Sequence, residues 1–130
     1  MILISIQSYM TKTFHMNLGK EIIMKLAVLA LTNNGAKLAK KISDKFKADL
    51  YLPKKYSYYG VNTIDKSFIE FVHSIFKNYK GFIFIMATGI VVRAIAKVIE
   101  NKRQDSAIIV IDEKGNYVIS LLSGHIGGAN

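Results

Sequence analysis

Three glycine-bearing turns hold the residue types best suited to chemistry: Thr32-Asn33-Asn34-Gly35, Thr88-Gly89, and Ser123-Gly124-His125-Ile126-Gly127-Gly128-Ala129-Asn130. Glycine lets a ligand approach the backbone closely. Where such a turn opens a helix, free N–H groups and the helix dipole favour an anion. Thr88 and Gly89, with Arg93 one turn further on, read as an anion-binding turn. The alternative is a tight strand-to-helix connection with Arg93 on the polar face. His125 is the one imidazole in a glycine-rich segment, and Ser123 stands close by. It has the chemistry of a general base or a metal ligand, although a lone histidine also serves as a structural residue. No G-x-G-x-x-G and no Walker A sequence occurs, so a nucleotide site has no motif behind it.

Other groups carry less. Lys54 to Tyr59 mixes cations with tyrosines, a combination that stacks planar ligands or bases, or forms an exposed loop. His73 lies beside an apolar helix face and reads as a packing residue. Asp112 and Glu113 fall in a turn with Gly115 and read as solvated turn residues with no acid–base role. The net charge of +9 over 130 residues predicts anionic partners: nucleic acid, a membrane surface or a polyanionic small molecule. Sixteen lysines against two arginines argue against a dedicated nucleic-acid reader. The absence of cysteine removes disulfides, thiolate metal sites and cysteine catalysis. The longest apolar runs, Leu26 to Leu31 and Phe82 to Ala87, fall far short of the roughly 20 residues that cross a bilayer. The N-terminus makes a poor signal peptide, so a cytoplasmic protein is expected.

The elements that must position these turns alternate. Lys25 to Leu31 reads as a buried parallel strand, and Gly35 to Phe46 as an amphipathic helix. Ala48 to Leu52 is a second strand stopped by Pro53, followed by the Lys54–Gly60 loop. Lys66 to Tyr79 is a second helix, Phe82 to Ala87 a third strand and Ile90 to Ile99 a third helix. Ala107 to Ile111 and Tyr117 to Leu122 form an antiparallel hairpin around Asp112–Asn116. The whole predicts a three-layer α/β domain, Rossmann- or flavodoxin-like, with a mostly parallel sheet and a C-terminal β-hairpin. In such sheets ligands bind beyond the carboxyl ends of the strands, where all three glycine turns are expected.

Residues 1–23 show no sustained period, and Gly19-Lys20-Glu21 is what a purine-rich stretch upstream of a start codon encodes. The sequence thus predicts a natural start at Met24, with 1–23 an upstream extension and 24–130 the domain. A short ordered arm is the alternative. A glycine-rich turn at the very end predicts that the chain is the N-terminal piece of something longer.

Met86-Ala87-Thr88-Gly89-Ile90-Val91-Val92-Arg93-Ala94-Ile95-Ala96, then Asp112-Glu113-Lys114-Gly115, then Leu121-Leu122-Ser123-Gly124-His125-Ile126-Gly127-Gly128-Ala129-Asn130, resemble the N-terminal part of the CbiG family of cobalamin biosynthesis. The resemblance runs from about Met24 and is sharpest from Met86 onward. It implies cobalt-precorrin-5A hydrolase activity: opening of the ring A δ-lactone, with release of acetaldehyde. It implies a corrinoid precursor as small-molecule partner and a missing C-terminal domain. Cobalt would travel with the substrate, so neither a protein metal site nor a cofactor is expected. Membrane and nucleic-acid partners are not expected, and a homo-oligomer is left open. For such a substrate His125 is the candidate base, by its place in the glycine-rich turn. Ser123, Gly124, Gly127 and Gly128 shape the substrate site, and Thr88, Gly89 and Arg93 hold a peripheral carboxylate. A non-catalytic domain that docks the tetrapyrrole or a partner is the other reading.

Overall fold

The computed structural model describes residues 7–8, 25–59, 62–100 and 106–123, without the side chains of 57–59 and 123. Apart from Gln7 and Ser8, the proposed upstream extension lies outside the described residues. Six strands form one sheet: β1 (Leu26–Ala30), β2 (Asp49–Pro53), β3 (Asn62–Ile64), β4 (Gly81–Ile85), β5 (Ala107–Ile111) and β6 (Val118–Ser123). Their order is β3-β2-β1-β4-β5-β6, parallel throughout except for the antiparallel β5–β6 pair. That order is the Rossmann one and not the flavodoxin one. Three helices connect the strands: α1 (Asn33–Phe46), α2 (Phe68–Ile75) and α3 (Thr88–Ile95).

The central strands β1, β4 and β5 are buried on both faces, as their unbroken apolar runs require. Alternation along each strand sorts the core into two. One face gathers Val28, Ile83, Ile85 and Ile109 under α1, through Leu38, Ala39 and Ile42. The other gathers Leu29, Phe82, Phe84 and Val110 under α2 and α3, through Val72, Val91 and Ala94. His73 is a packing residue: its Nε2–H donates to the Ala94 carbonyl at 3.0 Å and ties α2 to α3.

Three expectations need correction. The connection from β2 is a 3-10 segment, Lys54–Tyr59, followed by the short edge strand β3, where the sequence suggests only a loop. Tyr56 packs against the α1 side of the core, and the Lys55 ammonium lies 5.4 Å from its ring centroid. The second helix stops at Ile75 and tightens into a 3-10 turn, Phe76–Asn78. The third begins at Thr88, because Ala87 is already extended and supplies the first helical carbonyl to Val91 N–H at 3.4 Å.

Candidate functional site at the carboxyl ends of the central strands

β1, β4 and β5 end level with one another, Ala30 beside Ile85 and Ile85 beside Ile111. The strand order reverses between β1 and β4, so the crevice beyond their carboxyl ends is the topological switch point. Three segments meet there. Thr32 to Gly35 leaves β1 and opens α1. Ala87 to Gly89 leaves β4 and opens α3. Asp112 and Glu113 leave β5, and Met86 N–H donates to the Ile111 carbonyl at 3.1 Å, holding the second and third segments together.

Thr32 caps α1: its Oγ1 accepts from Gly35 N–H at 3.0 Å. The same hydroxyl donates to Glu113 Oε2 at 2.6 Å, joining residues 81 apart in sequence. Gly35 seats the helix against the sheet. A Cβ there would lie 3.0 Å from Thr32 Oγ1, 3.3 Å from Ala30 Cβ and 3.3 Å from the Ile85 carbonyl oxygen. Two of those neighbours belong to central strands and cannot retreat. Gly35→Ala is therefore expected to lose about 1 kcal/mol, overpacking outweighing the gain in helix propensity. Thermal unfolding measures it, and a rise in the midpoint would contradict the close seating.

α3 begins differently. Ala87 offers no side-chain cap, whereas Ser67 caps α2 by accepting from Glu70 N–H at 3.3 Å. Arg93 folds back along its helix, and its Nη1 comes within 3.8 Å of where a Gly89 Cβ would stand. Half-buried Thr88, exposed Gly89 and the Arg93 guanidinium thus share the opening of α3 at the crevice. Helical spacing alone provides this adjacency.

Ser123 is not brought to them. It pairs with Ala107, which pairs with Gly81, so it lies at the amino ends of β4 and β5. Roughly 13 Å of strand separates that level from Ile111. The reason is the hairpin: an antiparallel return carries the chain back to the end from which β5 started. Gly124, His125, Gly127 and Gly128 lie outside the described residues. A cavity of about 200 Å³ opens at the Ser123 end, between Tyr79–Lys80 and Ser106. Among the described residues no three His, Asp or Glu side chains group as a metal site, and no helix is long and apolar enough to cross a membrane.

Sequence reasoning misses one residue of the crevice, Glu113, and the bond that joins it to Thr32. Glu113 has the sequence context of a solvated turn residue, yet Asp112 alone shapes the turn. The Asp112 Oδ1 accepts from Tyr117 N–H at 2.6 Å and its Oδ2 from Lys114 N–H at 3.3 Å. Thr32 is legible as a capping residue but not as the partner of Glu113. The available signal is positional, since Glu113 comes just after the carboxyl end of a central strand.

An open, mostly parallel α/β sheet in Rossmann order, with two helix openings and a carboxylate at its switch point, defines a domain of the doubly wound class, a class whose ligands bind at that point. Residues 70–130 match the family model described as cobalamin synthesis G N-terminal. The chain belongs to the CbiG family and corresponds to its N-terminal part. It is 40% identical over 110 residues to the cobalt-precorrin-5A hydrolase of Priestia megaterium, a match covering 80% of this chain and 29% of that protein. It is 41% identical over 105 residues to the Salmonella typhimurium protein of the same name, covering 81% and 30%. The crystal structure of a cobalamin biosynthesis protein G homologue from Sulfolobus solfataricus superposes with a TM-score of 0.65 at 28% identity, covering 88% of this chain and 33% of that one. The chain thus spans about 30% of the length of the curated relatives it matches.

Proposed function

We propose that this domain takes part in the hydrolysis of cobalt-precorrin-5A, binding the macrocycle over the carboxyl ends of β1, β4 and β5. The observation that carries the reading is the place of the family-resembling Thr88–Arg93 segment at the switch-point crevice, in a chain 40% identical to a protein named for that activity. Thr88 and Gly89 N–H groups and the Arg93 guanidinium hold a peripheral carboxylate of the substrate. Cobalt arrives as part of the substrate. The net charge of +9 draws in a polyanionic tetrapyrrole. Water attacks the lactone carbonyl, and the freed carbinol then loses its two-carbon unit as acetaldehyde, the macrocycle accepting the electron pair.

The docking reading is favoured by one observation: Ser123 and Thr88 stand at opposite ends of the sheet. Acetaldehyde release from cobalt-precorrin-5A under anaerobic conditions separates the two. Release by this chain alone is the result expected if the crevice is the active centre. Binding without release, restored when the chain is completed by its C-terminal remainder, makes the domain a docking module or half of a cleft.

A further inference from the structure

We infer that Glu113 is the general base of the crevice, an assignment that rests on the hydrolase reading above. Four features set this carboxylate apart. It is half-buried and stands just beyond the carboxyl end of β5, at the same end of the sheet as the Ala87–Thr88 opening of α3. It is not used by the turn that bears it, since Asp112 makes both turn bonds. Its Oε2 is held by the Thr32 hydroxyl at 2.6 Å, a donation beyond what capping α1 needs, because the cap is complete once Oγ1 accepts from Gly35 N–H. Among the described residues, Oε1 has no hydrogen-bond partner and no lysine or arginine nitrogen comes within 4.0 Å of either oxygen, the ion pairs being Lys40–Asp44 and Lys77–Glu100. One oxygen is fixed and the other is open, which is the arrangement a base needs to take a proton in a defined direction.

The step balances without any further reactant. Glu113 Oε1 accepts a proton from water as the water oxygen bonds to the lactone carbonyl carbon and the carbonyl electrons move onto oxygen. On collapse the ring C–O bond breaks, and the leaving alkoxide takes that proton back from Glu113. One water is consumed and the carboxylate is restored. Thr32 is the positioning residue, acting through its hydrogen bond to Oε2.

The test uses whichever form of the chain releases acetaldehyde, alone or completed by its C-terminal remainder. Glu113→Gln keeps the size and can still accept from Thr32, so substrate binding, read by tetrapyrrole absorbance, is expected to survive. kcat is expected to fall by about 100-fold or more, with KM changed by less than about threefold. Thr32→Ser, which keeps both bonds, is expected to match the unsubstituted protein. Thr32→Val, which keeps the shape and loses the hydroxyl, is expected to lose kcat by about tenfold at unchanged KM. If Glu113→Gln does not fold, Glu113→Asp carries the test, its retracted carboxylate lowering kcat at unchanged KM. Normal kcat in the Glu113 variant, or a raised KM at normal kcat, overturns the assignment and leaves the hydrolase reading standing. No release by the unsubstituted protein in any form overturns both.

Discussion

Phe82→Ala is expected to destabilise the domain by about 3–5 kcal/mol, the usual cost of removing a fully buried ring. Phe82 is wholly inaccessible and sits in the middle of an aromatic column. It stacks on Phe76 at 5.4 Å between centroids and on Phe84 at 5.6 Å, with interplanar angles of 9° and 7°. Tyr79 meets it edge-on at 5.6 Å. The column joins the 3-10 turn after α2 to the central strand β4, so its loss frees a helix and opens a void in the sheet. Domains of this kind have about 5–15 kcal/mol in total, so the variant retains little margin. Urea denaturation measures it. Phe68→Ala is the control: half-buried and touching only the edge of the column, at 6.0 Å from Phe84, it should cost clearly less. Equal losses at the two positions would show that the stack is not the element being removed.

Tyr79→Phe is expected to change both the stability and its dependence on pH. The Tyr79 hydroxyl donates to Asp49 Oδ2 at 2.6 Å and shares a hydrogen bond with the Tyr51 hydroxyl, while the Lys25 ammonium lies 5.1 Å from its ring centroid. Deleting the hydroxyl leaves Asp49 without this donor and should cost about 1.5–3 kcal/mol near neutrality, as for a hydrogen bond to a charged group. Burial first, and then the bonds to Asp49 and Tyr51, push the phenol's pKa far above its ordinary value. The folded state therefore keeps a proton that the unfolded chain releases above about pH 10. With more protons bound in the folded state, stability falls as pH rises, by at most about 1.4 kcal/mol per unit. This contribution is fully present below pH ~10 and is lost progressively above it. The Tyr79→Phe variant has no such slope, so the two unfolding free energies should converge as pH climbs from about 10 to 11. Parallel curves over that range would mean that Tyr79 ionises in the folded state as readily as in the unfolded one.

How much of the fold is legible in the sequence follows from how local each signal is. β5 can be read to the residue, Ala107 to Ile111, because an unbroken apolar run is bounded on its far side by Asp112 and Glu113. Its hairpin partner follows from the Asp112–Asn116 turn. β3 cannot be read: the three residues Asn62 to Ile64 are too few to show an alternation, and they are extended because Tyr51 to Pro53 lie alongside to pair with them. Thr88, Gly89 and Arg93 can be grouped from the sequence because residues four apart on one helix meet wherever that helix goes. Ser123 is expected beside them and lies instead at the other end of the sheet, a return that the antiparallel hairpin already implies. The Thr32–Glu113 bond is invisible in the sequence, for neither residue's neighbourhood hints at the other.

The order of residues along the chain determined by itself the alternation of strands and helices, the two-faced core and the basic character of the domain. Periodicity and charge are properties of neighbours, and they survive any arrangement of the elements. The tertiary structure decided which turns share an end of the sheet. It placed β1 between β2 and β4, brought Glu113 to Thr32 across 81 residues and sent Ser123 to the opposite end. Strand order and direction are settled by how the two apolar faces are jointly covered, a balance among all the elements that no single stretch of sequence contains.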